Sequence, residues 1–263
     1  MSDEFTLDML DIPSGWSRGE GDWTGVAAAL AGGETVEVIQ EVGSTLWQNS
    51  LPEKHSLYWD GENLSTIKAR IWISFTQRRF SPESALPKVQ WHPRVLWIGI
   101  GCQRGTGREL IETAIKQVCR AYHLAESAIA GIATIDTKAG EVGLLELCQE
   151  RNWPLQTFAA DILSSVEVPN PSNTVVKQVG TPSVAEAAAL CAVRKENLTA
   201  DEREYMQISI NHQRPSAFIC GSNPLLIPKQ IFRTKNPPLS QGGVRAGSAL
   251  TVAVAVCPIE YLG

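Results

Sequence analysis

Residues 95–100, Val-Leu-Trp-Ile-Gly-Ile, are apolar without alternation. A strand with one wet face alternates apolar and polar side chains, so an unbroken run belongs to a sheet covered on both faces. Glycines follow at 99, 101, 105 and 107, and then Leu110, Ile111, Ala114, Ile115 and Val118 recur at helical spacing over 107–122. Strand, glycine turn and amphipathic helix in that order form the repeating unit of an α/β fold. The unit recurs: Ile129–Ile135 is a second apolar strand, and 141–151 is a helix with Leu144, Leu145, Leu147 and Cys148 facing inward. A short strand at 156–158, a helical turn at 160–165, a helix at 183–193 and strands at 217–220, 225–227 and 249–256 complete the pattern. The expected fold class is α/β, with a three-layer, largely parallel sheet over residues 94–263.

The first part of the chain is built differently. Six of the eight tryptophans precede residue 92, so this part needs a core of its own. Asp22 precedes a short helix that Gly32-Gly33 ends, 35–40 alternates like a strand, 43–52 reads as a turn or short helix around Trp47, and 67–75 reads as a more buried strand. Residues 1–80 are therefore expected to form a small α/β domain. Residues 81–93, with Pro82, Pro87 and Pro93, have linker composition. Segments 194–223 and 233–247 are charged or glycine-rich and read as insertions.

With 43% hydrophobic residues in 263, the chain can bury a real core. A net charge of -5 without a basic stripe argues against nucleic acid as a partner. The expectation is also no membrane partner and a cytoplasmic location: no run of about 20 apolar residues occurs, and Met-Ser-Asp-Glu-Phe is not a signal peptide. The six cysteines, at 102, 119, 148, 191, 220 and 257, have neither zinc-site nor disulfide-framework spacing. They read as buried thiols, and the four histidines as surface or packing residues.

Three turns carry groups suited to chemistry. The first runs from Gly99 to Gly107 and opens a helix. Its main chain at Gly101, Gly105 and Thr106 can approach an anion, and Arg104 adds a guanidinium fork. The glycine spacing is not the dinucleotide fingerprint, and no phosphate-loop Gly-Lys-Ser/Thr is present. Cys102 is a nucleophile candidate without a histidine placed to activate it. The second turn brings Asp136, Lys138 and Glu141 within six residues, where strand ends of an open sheet bind ligands. The third, Gly180-Thr181-Pro182-Ser183, starts a helix of small residues that carries Glu186 on its first turns. The rigid segment Val168-Pro169-Asn170-Pro171-Ser172 can present Asn170 and Ser172 as hydrogen-bonding groups.

Read together, four segments resemble one family. They are Gly99-Ile100-Gly101-Cys102-x-Arg104-Gly105-Thr106, Ile135-Asp136-x-Lys138-x-x-Glu141-x-Gly143-Leu144, residues 168–172 and Val179-Gly180-Thr181-Pro182-Ser183-Val184-Ala185-Glu186. In that order they are similar to the C-terminal domain of the cobalamin-biosynthesis CbiG proteins, a domain that stand-alone CobE proteins share. Gly-Asp-Trp-Thr at 21–24 and Gln-Glu-Val-Gly at 40–43 resemble the CbiG middle region. The likeness returns weakly at Pro228-Lys229 and Leu250-Thr251-Val252-Ala253.

The resemblance implies cobalt-precorrin-5A hydrolase activity: opening of the δ-lactone of a cobalt-containing corrin precursor, with release of acetaldehyde. A substrate rich in acetate and propionate carboxylates suits Arg104, Lys138 and the helix starts. Glu141 or Asp136 is then the base that activates water, with Lys138 beside it. Main-chain N–H groups near Gly101–Gly105 or Thr181–Ser183 hold the oxyanion. Gly101, Cys102, Arg104, Gly105, Thr106, Asn170, Ser172, Gly180, Thr181, Ser183 and Glu186 contact substrate, with Glu186 also placed to brace its loop. The cobalt arrives within the substrate, so no cofactor and no protein metal site is expected. The likeness begins at the family's middle region. The expected partners are accordingly the cobalt-precorrin tetrapyrrole and either a separate polypeptide carrying the N-terminal domain or other pathway enzymes. The alternative implied by CobE is a non-catalytic corrinoid-precursor carrier.

Overall fold

The computed structural model describes residues 15–59, 67–81, 85–172, 180–196, 224–233 and 249–259. They belong to two compact units: Met1–Val95 with Cys119–Ile129 and Pro258–Gly263, and Leu96–Val118 with Ala130–Cys257.

The first unit holds a five-stranded sheet. Its strands are β1 (Trp16–Gly21), β2 (Val36–Gln40), β3 (Leu57–Trp59), β4 (Ala69–Ile73) and β5 (Lys88–Pro93), in the order β1-β5-β4-β2-β3. The pairs β2–β3, β2–β4 and β4–β5 are parallel, and β1 runs antiparallel to β5. Helix α1 (Trp23–Ala31) starts where Asp22 accepts the Gly25 N–H at 2.8 Å and ends at Gly32. Val26, Ala29 and Leu30 of α1 share a core with Val36, Val38, Ile71, Ile73, Val89 and Trp91. Trp47 is buried in it, and Trp16, Trp23 and Trp59 pack against it. Trp23 meets Trp91 edge to face at 5.0 Å, and Trp16 meets Trp47 at 6.3 Å. The early tryptophans thus build a core of their own.

The segment read as a linker over 81–93 needs correction. Its second half is β5, hydrogen-bonded on both sides, with Val89 and Trp91 in the core. Proline donates no ladder hydrogen bond and is tolerated at strand ends. Pro87 and Pro93 therefore bracket a strand, and Pro93 still pairs in register with Trp16.

The second unit contains β6 (Leu96–Cys102), β7 (Ile129–Ile135), β8 (Leu155–Phe158), β9 (Leu225–Arg233) and β10 (Ala249–Val256), in the order β8-β7-β6-β10-β9. β7 and β8 are parallel, and β10 is antiparallel to both neighbours. Every residue of β7 is buried, as are Leu96, Trp97, Ile98 and Ile100, so the apolar runs reflect cover on both faces. The helices are α2 (Arg108–Ala121), α3 (Val142–Arg151), α4 (Ala160–Ser164) and α5 (Val184–Glu196). α5 lies directly on β6. A Cβ at Gly99 would collide with the Ala185 carbonyl oxygen and stand 3.0 Å from the Ala189 Cβ. The α/β class holds, as a mixed sheet.

The segments read as insertions lie outside the described residues, except that 194–196 continue α5 and Arg233 ends β9. The strand expected at 217–220 also lies outside them. None of the five described cysteines forms a disulfide with another described residue. Among the described residues no helix is long and apolar enough to cross a membrane.

Candidate functional site

β6 and β7 are neighbours in the sheet, so the turns at their carboxyl ends emerge side by side. The Thr134 hydroxyl on β7 donates to the Ile100 carbonyl on β6 at 2.7 Å and fixes the two ends in register. Beyond Cys102, the Gln103 carbonyl accepts the Thr106 hydroxyl at 2.8 Å, folding the first turn onto itself. Beyond Ile135 the chain makes a 3-10 turn, Asp136–Lys138, in which the exposed Asp136 accepts the Thr137 N–H at 2.6 Å.

Glu141 fastens the two turns together. One carboxylate oxygen accepts the Gly105 N–H, and the other meets the Lys138 ammonium at 3.1 Å. α3 then begins hard against the first turn, because Gly143 has no side chain. A Cβ there would stand 2.8 Å from the Arg108 nitrogen. Burial raises the Glu141 carboxyl, but the Gly105 N–H, the Lys138 ammonium and the Arg104 guanidinium together outweigh it and hold it below the ordinary glutamate value. The favoured ionised form is thus engaged in binding the turns. Burial pushes the Cys102 thiol up to about 11, with Lys138 partly opposing, so at neutral pH it is not a thiolate nucleophile.

A carboxylate held below its unfolded value stabilises the fold fully above that value, about pH 4.3, and loses this contribution as pH falls through the folded one. Wild type is therefore expected to exceed Glu141→Gln in stability at pH 7, with the gap closing on acidification below pH ~4. Denaturant midpoints across pH check this, and a gap that does not change with pH rules it out.

The third turn leads into a helix that meets β6. The start of α5 lies against Gly101: a Cβ there would be 3.5 Å from the Val184 Cβ and 3.7 Å from the Ala185 nitrogen. The Gly101 carbonyl accepts the Thr251 hydroxyl of β10 at 3.0 Å. Gly105 and Gly180 both have positive φ, 77° and 76°. The Pro182 carbonyl accepts the Ser172 N–H at 2.8 Å, docking 169–172 onto this turn.

Glu186, fully buried on α5, accepts the Asn170 side-chain amide at 2.8 Å, the Asn170 N–H at 3.3 Å and the Lys229 N–H at 3.0 Å. The Lys229 ammonium returns to the Asn170 carbonyl at 2.6 Å. Glu186 therefore braces its loop, and the Asn170 side-chain amide and the Ser172 N–H are engaged by the protein itself. By contrast, the hydroxyls of Thr181 and Ser183 are buried without a partner among the described residues.

Of the residues expected from sequence, Gly101, Cys102, Gly105, Thr106, Lys138 and Glu141 come together, with Arg104 and Asp136 exposed beside them. Lys229 and Thr251 were missed as parts of this frame, although the likeness returning at 228–229 and 250–253 was their signal. Among the described residues no group of three His, Cys, Asp or Glu side chains converges as a metal site. A cavity of about 600 Å³ lies in the first unit, lined by Glu20, Gln77, Arg79, Arg120 and His123 among others, and shares no residue with these turns.

Residues 5–93 match the model of the cobalamin biosynthesis central region, and residues 96–255 match that of the cobalamin synthesis G C-terminus. A cobalt-precorrin-5A hydrolase from Priestia megaterium is 27% identical over 202 residues, 74% of this chain and 54% of that protein. A cobalt-precorrin-5A hydrolase from Salmonella typhimurium is 31% identical over 154 residues, 58% of this chain and 42% of that protein. The chain thus spans about half the length of the curated relatives it matches. The crystal structure of CobE, a protein of the cobalamin pathway, superposes at a TM-score of 0.38 with 20% identity, covering 61% of this chain and 93% of that one. The two family matches together run through both units, and the chain belongs to the cobalamin-synthesis G (CbiG) family.

Proposed function

We propose that this chain hydrolyses the δ-lactone of cobalt-precorrin-5A and releases acetaldehyde. The observation that carries the proposal is the Glu141 clamp, which holds two glycine-bearing turns, the Lys138 ammonium and the nearby Arg104 at one end of the sheet of a family member. Peripheral carboxylates of the macrocycle bind Arg104 and Lys138 as charge-assisted pairs. Asp136, exposed at the head of its turn, takes the proton from the attacking water. Glu141, with both oxygens engaged, positions the clamp. The water oxygen bonds to the lactone carbonyl carbon, and main-chain N–H groups of the first turn hold the oxyanion. Collapse breaks the ring C–O bond, giving a carboxylate and an alkoxide. The alkoxide then becomes the aldehyde carbonyl of acetaldehyde as the adjacent C–C bond breaks, leaving its electron pair on the metallated macrocycle. Cobalt enters and leaves as part of the substrate.

The test is acetaldehyde release from purified protein given cobalt-precorrin-5A. Lys138→Ala is expected to raise KM by roughly 10- to 100-fold, the worth of a charge-assisted hydrogen bond of about 1.5–3 kcal/mol. Asp136→Asn is expected to lower kcat with little change in KM. Full activity in both variants overturns these roles, and tight binding without turnover by the wild-type chain overturns the hydrolase proposal in favour of a carrier.

A further inference from the structure

Among the described residues, two hydroxyls at the start of α5 have no hydrogen-bond partner: those of Thr181, 0% exposed, and Ser183, 1% exposed. Ser183 directly precedes the first residue of α5, where a serine ordinarily caps the helix by accepting an N–H two or three residues on. Here it does not. An unsatisfied buried hydroxyl destabilises a fold. Two of them flank a helix start whose first N–H groups lack intrahelical acceptors, at the positive end of a 13-residue helix. The two hydroxyls are uncharged and shielded from solvent. Gly180 is exposed and Pro182 half-buried on either side of Thr181.

We infer that the start of α5 is a socket for one carboxylate of the ligand, held by the Thr181 and Ser183 hydroxyls and the first N–H groups of the helix. This rests on the tetrapyrrole reading above, whose substrate carries such carboxylates on short arms, and gives them a neutral, buried anchor in addition to the cationic one at Arg104 and Lys138. The hydroxyls are then unsatisfied because the ligand completes them.

The experiment compares wild type with the double variant Thr181→Val, Ser183→Ala, which removes both hydroxyls at nearly constant volume. The expected result pairs opposite signs. The ligand-free variant melts higher than wild type, because two unsatisfied groups are gone. Its affinity for cobyrinic acid, a corrinoid polycarboxylate without the lactone, falls at least tenfold in an absorbance titration. The fully esterified corrinoid binds both proteins equally weakly. An unchanged affinity for the acid overturns the socket, whichever way the melting temperature moves. A lower melting temperature overturns it too, since the hydroxyls are then satisfied in the free protein. A fall in kcat with affinity kept assigns them to the transition state and overturns the carboxylate. Wild type that turns over cobalt-precorrin-5A while the variant binds unchanged sinks the socket alone. Wild type that neither binds cobyrinic acid nor releases acetaldehyde sinks the tetrapyrrole reading and the socket with it.

Discussion

Gly99→Ala is expected to destabilise the second unit by roughly 3 kcal/mol or more, at the upper end of overpacking effects. The added methyl meets main chain, not a side chain that can rotate away. It would collide with the Ala185 carbonyl oxygen and stand 2.8 Å from its carbon. Ala185 and Ala187–Ala189 are themselves fully buried, so α5 has no free direction in which to retreat. Any shift also drags the turn at Thr181–Ser183 away from Gly101, so acetaldehyde release should fall in the surviving folded fraction. Gly107→Ala is the control. Nothing lies within 4 Å of a Cβ there, and its φ is not positive, so its effect should stay within about 0.5 kcal/mol. Urea denaturation of both variants decides the matter, and equal midpoints would show that α5 does not need the glycine.

Glu186→Ala is expected to cost about 3–5 kcal/mol, the range for breaking a buried charged network by removing one member. Three donors lose their acceptor at once, two of them backbone N–H groups from different segments. Water cannot replace the carboxylate at a position with 0% exposure without opening the helix packing. Glu186→Gln keeps one carbonyl oxygen and should lose about half as much. A loss under about 1 kcal/mol in Glu186→Ala, measured the same way, would mean that the loop at 169–172 and β9 hold their places without it. Because the carboxylate points at protein donors, neither variant is expected to change kcat once the folded fraction is accounted for.

What could be read from sequence followed burial. β6 and β7 are dry on both faces, so their composition alone announced them, and the glycines at 99–107 marked the turn that follows. β1 escaped notice because Trp-Ser-Arg-Gly-Glu-Gly sits at a sheet edge, half in water, without alternation. β5 was hidden by prolines that composition assigns to linkers. The site divides in the same way. Lys138 with Glu141 is local, three residues apart, and was visible as a cluster. The Gly105–Glu141 bond spans 36 residues and the Lys229–Glu186 bond 43, and no local pattern encodes such pairings. The unsatisfied hydroxyls were legible only as residue types, since partnership is a property of packing.

The position of β10 bears on when the second unit can complete its fold. β6, which carries the first turn, has β10 as a neighbour across seven residue pairs, and the Thr251–Gly101 bond closes a span of 150 residues. Closing so long a loop precedes any reward from the contacts it makes, which slows folding. During synthesis, β6 must wait with one edge open until residues 249–256 leave the ribosome. Until then the chain displays an unpaired apolar strand, the kind of edge that invites pairing with another molecule. The completion of the first turn's frame and the aggregation hazard of the nascent chain are thus resolved by the same late strand.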